Sequence, residues 1–300
     1  MTKEPSPRTH LTRRALIGGA TGVVVAGAAA LAVDQRVLPG RSTMFRLLGL
    51  DGAPGVVPRT ATGLMLSGSF VSKTRLGKRV GWAVSYPPGS KPGDALPVVV
   101  VLHAYGGNHL SPFGSHLGLD HFLARAVTAG TKPFAIAAID GGNTYWHRRA
   151  SGDDSGSLVT NEFLPLLATH GLDTRRIGLL GWSMGGYGAL LVGSELGPSR
   201  VAGIAAMSVA LWPTVEQAAS EAFDGAADFA THDLMTRQKL LDSIPLRIDC
   251  GTGDGFVAND RALVASLDPH PAGGFVPGGH NLDFWRRLAP AELAFLAARL

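Results

Sequence analysis

The sequence predicts an α/β fold: a mostly parallel sheet with helices on both faces. Two patterns and the composition carry that expectation. Pro97-Val98-Val99-Val100-Val101-Leu102 is a continuous apolar run, as expected of a strand buried on both sides. From residue 61 onward such runs alternate with helix-compatible stretches, the mark of repeated β-α units. The 300 residues are 45% hydrophobic and 17% charged, enough apolar material for one large core. The single cysteine, Cys250, excludes an internal disulfide framework and a cysteine-based zinc site. Forty glycines without a Gly-X-Y period imply many turns and exclude collagen.

The elements follow in order. Residues 63–72 and 78–86 read as an antiparallel strand pair joined by a polar turn. The Pro- and Gly-rich segment 87–93 is a loop, and 97–102 is the buried strand. A helix over 117–129 precedes a buried strand over 133–139. A helix over 157–170 stops at Gly171. Residues 176–182 form a strand, 184–196 a helix and 201–208 a strand. The stretch 212–241 holds helical segments without a strand, and fits an insertion over one end of the sheet. A strand over 246–250, a helix over 259–267, a short strand over 274–276 and an amphipathic helix over 289–300 complete the chain, and Arg286-Arg287 read as a solvated helix face.

The charge sits at the start. The net charge is 27 − 23 = +4, and residues 1–32 hold Lys3, Arg8, Arg13 and Arg14 against Glu4 alone, a net of +3. The remainder carries +1, so the basic balance does not point to a nucleic-acid partner. Arg14 is followed by nineteen uncharged residues, 15–33, with Ala30-Leu31-Ala32 near the end. A basic start, an apolar stretch and small residues describe an export signal. Thr12-Arg13-Arg14 resembles a twin-arginine signal read by export machinery. The alternative is a retained anchor: nineteen helical residues span ~28 Å, almost the hydrocarbon core, giving membrane association through 15–33. Residues 33–60, rich in Pro, Gly and Arg, read as a linker or loose arm before a catalytic domain over 61–300.

Ligands of such sheets bind beyond the carboxyl ends of the strands, so motifs there carry most weight. Gly181-Trp182-Ser183-Met184-Gly185 is a G-x-S-x-G between an apolar run and a helix-compatible run. A nucleophile on a strand-to-helix turn needs small neighbours, and this turn supplies glycines. A serine hydroxyl needs a base. Among ten histidines, His280 stands out in Pro277-Gly278-Gly279-His280-Asn281, just after the last strand. The base needs an acid between 183 and 280 on a loop after a strand. Asp254 fits, in Gly251-Thr252-Gly253-Asp254-Gly255, with Asp249 and Asp260 as alternatives. The oxyanion site combines the N–H of Met184 with one from the loop after 97–102, Tyr105 first and Ala104 next.

These motifs resemble the esterase D-like branch of the α/β-hydrolases, which includes S-formylglutathione hydrolases, feruloyl-esterase-type enzymes and mycolyltransferases. The carriers are the run Gly181 to Ala189, Cys250-Gly251-Thr252-Gly253-Asp254 and Gly278-Gly279-His280 with Phe284-Trp285 behind it. The resemblance implies an α/β-hydrolase fold with an eight-stranded core and a triad of Ser183, His280 and Asp254. Two departures stand out: Ala104 occupies the place where many hydrolases have glycine, and 140–149 does not match the mycolyltransferase counterpart.

That stretch follows a strand and belongs at the sheet's carboxyl edge. Tyr145 and Trp146 there are candidates for an acyl or aromatic wall, and Asp140 and Arg148 for positioning a polar group or forming an internal pair. The expected function is an exported serine carboxylesterase acting on a small-molecule or lipid ester. The alternatives are an acyltransferase acting on envelope sugars or lipids, and a non-catalytic envelope protein. No dinucleotide fingerprint, P-loop or metal-ligand spacing is visible, so no cofactor is expected.

Overall fold

The computed structural model describes residues 41–300; the segment expected as export signal or anchor, 1–32, and residues 33–40 lie outside the described residues. Eight strands form one sheet: β1 Met65–Val71, β2 Arg79–Ser85, β3 Pro97–Leu102, β4 Ala135–Ile139, β5 Asp173–Trp182, β6 Val201–Met207, β7 Leu246–Gly251 and β8 Ala272–Val276. Their order is β1-β2-β4-β3-β5-β6-β7-β8. The β1/β2 and β2/β4 pairs are antiparallel and every later pair is parallel. This is the α/β-hydrolase fold. Val98 to Leu102 have no solvent exposure, because apolar clusters cover both faces of the sheet. Burying each such valine stabilises by about 1.5–3 kcal/mol, which explains the uninterrupted run at the centre.

The helices are α1 Arg41–Leu47, α2 Leu119–Thr128, α3 Leu164–Thr169, α4 Met184–Leu196, α5 Ala226–His232, α6 Gln238–Leu241, α7 Val257–Ser266 and α8 Leu282–Ala297. Two helices and one strand differ from expectation. The helix expected over 157–170 begins as a short turn and a π-helical stretch, Leu158–Phe163, before α3. Pro165 lacks the N–H that a regular α-turn needs there. The closing helix starts seven residues earlier than expected, with Asn281 accepting the N–H of Phe284 as its cap, and it carries Pro290 inside. β5 starts at Asp173, where the Asp173 N–H donates to the Leu96 carbonyl.

Residues 44–60 are no loose linker. Gly55 donates to the Asp283 carbonyl, His121 Nδ1 donates to the Thr60 carbonyl, and Val57 packs on the core. The Arg287 guanidinium donates to the carbonyls of Asp51 and Ala53. Arg286 donates to the Ser115 and His116 carbonyls. The pair Arg286-Arg287 is therefore a clasp, where the sequence read as a solvated helix face. Among the described residues no helix is long and apolar enough to cross a membrane.

Beneath β7, Arg247 Nε lies 2.7 Å from Asp249 Oδ2 and 3.2 Å from Glu292 Oε2. Glu292 is fully buried. Burial first, and Asp249 second, push its carboxyl well above the usual range, and burial raises Asp249 too. The folded protein therefore holds protons that the unfolded chain has released. The contribution of this pair to stability is fully present below the ordinary carboxylate range and is lost as pH rises above it. Glu292→Gln should flatten this decline, as read by denaturant midpoints across the neutral and alkaline range.

Candidate active site

The parallel strands end side by side, with Leu102 paired to Gly181, Trp182 to Met207 and Gly251 to Val276. The loops that leave these ends build the site. β5 turns into α4 at Ser183, whose φ of 55° and ψ of −123° are strained for a residue with a side chain. Two close approaches require this turn to be glycine-flanked. A Cβ at Gly181 would fall inside the Gly185 carbonyl, and one at Gly185 inside the Leu102 carbonyl. The Ser183 N–H donates to the Met207 carbonyl, at 3.0 Å, which ties the turn to β6. Met184 opens α4, so its N–H has no partner within the helix and sits at the positive end of the helix dipole.

His280 lies 2.9 Å through Nε2 from Ser183 Oγ and 2.9 Å through Nδ1 from Asp254 Oδ2. The Asp254 carboxylate can only accept, so Nδ1 carries the proton and Nε2 accepts from the serine hydroxyl. The Asp254 side chain is fully buried, while that of His280 is 27% exposed. Burial alone would raise the Asp254 carboxyl. Hydrogen bonds from His280, the Phe256 N–H and Ser208 outweigh it and hold the group below its ordinary range. The edge of the His280 ring meets Trp285 at 5.0 Å and 86°, and Phe256 flanks it at 5.5 Å. The loop before it is pinned by the Gly253 N–H on the Gly278 carbonyl and by Arg287 on the Pro277 carbonyl. The alternative acids sit elsewhere: Asp249 pairs with Arg247, and Asp260 accepts the Val209 N–H.

The loop after β3 forms a turn closed by the Gly107 N–H on the Ala104 carbonyl, with Gly106 at φ 71°. Such a turn does not use the N–H of its second residue, here Tyr105. His103 is fully buried, and burial pushes its imidazole pKa down. Its Nδ1–H donates to the Ala104 carbonyl, so Nε2 accepts the Gly141 N–H at 3.0 Å. Asn143 Oδ1 accepts the Gly106 N–H at 2.8 Å, from the opposite side. Asn143 and His103 thus brace the turn that follows β3, and neither residue stands in a motif that signals it.

The other candidates in 140–149 separate. Tyr145 is buried, touching Tyr105, Tyr187, Trp212 and Phe223, and burial pushes its phenol up to about 12, keeping it neutral. Trp146 does not form a wall: it is 1% exposed, packs on Gly141 and Gly188, and donates to the His103 carbonyl. Both residues have positive φ, 54° and 60°, strain of about 1–3 kcal/mol each that the packed indole over-rides. Asp140 and Arg148 do not pair. Asp140 accepts from His109 and the Gly81 N–H, and Arg148 is exposed. The ion pair this loop makes is Arg149 with Asp224 of the 212–241 insertion, which holds Asp224 down to about 2.

One cluster of metal-type side chains exists among the described residues: His147, Asp228 and His232. The two imidazoles are stacked at 4.2 Å with 29° between their planes, and their Nδ1 atoms lie 3.7 Å and 2.9 Å from Asp228 Oδ1. Their bonds are internal, His147 to the Ala222 carbonyl and His232 to Asp228. With the Tyr187 hydroxyl on the His232 carbonyl, they clamp the 212–241 insertion over the strand ends.

The model of the Esterase family matches residues 73–270, well over half of the chain. No curated protein sequence matches it. Among solved structures it is similar to a ferulic acid esterase, at 17% identity and a TM-score of 0.69, over 79% of this chain and 99% of that one. It is similar to an S-formylglutathione hydrolase from Agrobacterium tumefaciens, at 19% identity and a TM-score of 0.65, over 82% and 99% of the two chains. It is also similar to the enterobactin esterase of Shigella flexneri, at 18% identity and a TM-score of 0.60, over 81% and 61%.

Asn143→Ala should free the Gly106 N–H without touching the core. Esterase kcat should fall roughly tenfold with the melting temperature unchanged. An unaltered kcat would show that the turn holds itself.

Proposed function

The chain belongs to the Esterase family and is a serine ester hydrolase; from that premise we propose that Ser183, His280 and Asp254 carry the reaction. The observation behind this is the bridge of His280 between Ser183 Oγ and Asp254 Oδ2, 2.9 Å on each side. Ser183 Oγ attacks the ester carbonyl as Nε2 of His280 takes its proton. The imidazolium is stabilised by the Asp254 carboxylate. The oxyanion lies against the N–H groups of Met184 and Tyr105. His280 then returns the proton to the leaving alkoxide, and water activated by the same imidazole resolves the acyl-enzyme.

Phe256, Trp212 and Tyr145 are in ring contact in sequence from His280 outward, which favours an ester whose acyl part is apolar or aromatic. A free alcohol of a sugar or lipid could replace water as acceptor, so hydrolysis and acyl transfer are separated by the products formed with both present. The basic start and uncharged stretch of residues 1–33 support export to the cell envelope.

Ser183→Ala should lower kcat by about 10³-fold or more on a nitrophenyl ester and abolish labelling by a fluorophosphonate. Full activity in this variant would reject the nucleophile. Replacing Arg13 and Arg14 together with lysine should leave activity in lysates intact and retain the protein in the cytoplasm. Unchanged fractionation would reject the export reading.

A further inference from the structure

Behind the imidazole the contacts close into a ring. Ser208 follows β6 just as Ser183 follows β5, with a φ of 49° and no solvent exposure. Its N–H donates to the Asp249 carbonyl at 2.8 Å, which sets the turn against β7. Trp285 Nε1 donates to Ser208 Oγ at 3.0 Å. An indole N–H can only donate, so the serine oxygen must accept there and its own proton is directed elsewhere. Two neighbours are in reach, the Asp254 carboxylate and the Cys250 thiol. The carboxylate is the far better acceptor, and burial pushes the thiol pKa up, so it stays neutral. Asp254 then bonds His280, and His280 meets the Trp285 ring that began the circuit.

We propose that Ser208 is a positioning residue of this esterase: its hydroxyl, polarised by the Trp285 N–H, fixes the Asp254 carboxylate in the orientation that holds His280 over Ser183. This rests on the triad reading above. The left-handed backbone at Ser208 supports a local demand for this side chain, since glycine would sit there without strain. The hydroxyl also gives the buried carboxylate a third donor besides His280 and the Phe256 N–H. Other ionisable groups near the ring are Asp260 of α7, which faces the Cys250 thiol, and Asp51 of the N-terminal arm beside Gly279.

Ser208→Gly is the informative variant, because it removes the hydroxyl and relaxes the backbone together. Strain relief and the loss of two buried hydrogen bonds oppose each other, so its melting temperature should stay close to that of the wild type. Its kcat should fall roughly ten- to a hundredfold at unchanged KM. Losing a donor to the carboxylate favours the singly protonated Asp254–His280 pair, so the acid limb of kcat/KM should move to higher pH. NMR titration of His280 in the full chain should move the same way. Trp285→Phe keeps the ring and removes the N–H, and should shift the titration in the same direction by less. Ser183→Ala, assayed in parallel, reports on the triad independently: if it is inactive while Ser208→Gly has wild-type kcat and an unmoved titration, the triad stands and this inference is overturned. If Ser183→Ala is fully active, the triad reading falls, and the His280 titration in Ser208→Gly still decides whether the hydroxyl positions the pair.

Discussion

Everything at the site depends on keeping one buried carboxylate ionised. Asp254 has no exposed surface, and an unpaired buried charge costs several kcal/mol. A neutral Asp254 could not hold the His280 tautomer with Nε2 free to accept. The fold meets this demand from three elements. The helix start after β7 supplies the Phe256 N–H, the turn after β6 supplies Ser208, and the loop after β8 supplies His280. None of these groups is adjacent in sequence. They meet because β6, β7 and β8 are neighbouring parallel strands whose ends bring the loops to one edge.

The same edge collects the backbone strain. Ser183, Ser208, Tyr145 and Trp146 all have positive φ, and all lie at or just beyond strand ends on this side. Strained residues persist only where their surroundings over-determine them. Ser183 is held by the close backbone approach at Gly181 and Gly185, Ser208 by its bonds to Asp249 and Trp285, and Trp146 by the surfaces of Gly141 and Gly188. The strain is local and the clamps are long-range. The site is therefore rigid only when the whole sheet edge is assembled.

The parts legible in the sequence are those that repeat or that carry chemistry by residue type. The apolar run 97–102 identified its strand because both faces of the sheet are covered, and the G-x-S-x-G turn identified Ser183 because the close approach leaves room only for glycine. The Gly-rich turns of Asp254 and His280 were visible for a similar reason. Asn143 and Ser208 were not, because their hydrogen bonds reach residues far away in the chain, and an isolated Asn or Ser has no pattern. Trp146 is not legible as a packing residue because a loop aromatic can face either way; the absence of a Cβ at Gly141 and at Gly188, forty-two residues on, makes room for it inward. Arg286-Arg287 looked like surface charge because its partners are backbone carbonyls, which leave no trace in composition.

Those arginines change how the N-terminal arm should be understood. Arg287 donates at once to Asp51 and Ala53 in the arm and to Pro277 in the histidine loop. One guanidinium, with five donors in a rigid fork, thereby fixes two segments relative to each other. Phe45 of α1 packs against Gly253, next to Asp254, and Asp51 lies beside Gly279, next to His280. The arm thus touches both turns that carry Asp254 and His280. A lysine at 287 would keep the charge but could not span three carbonyls from one planar head. The segment read from composition as a spacer is, physically, a strap across the back of the Asp254 and His280 loops, and it holds the His280 loop in place together with the sheet.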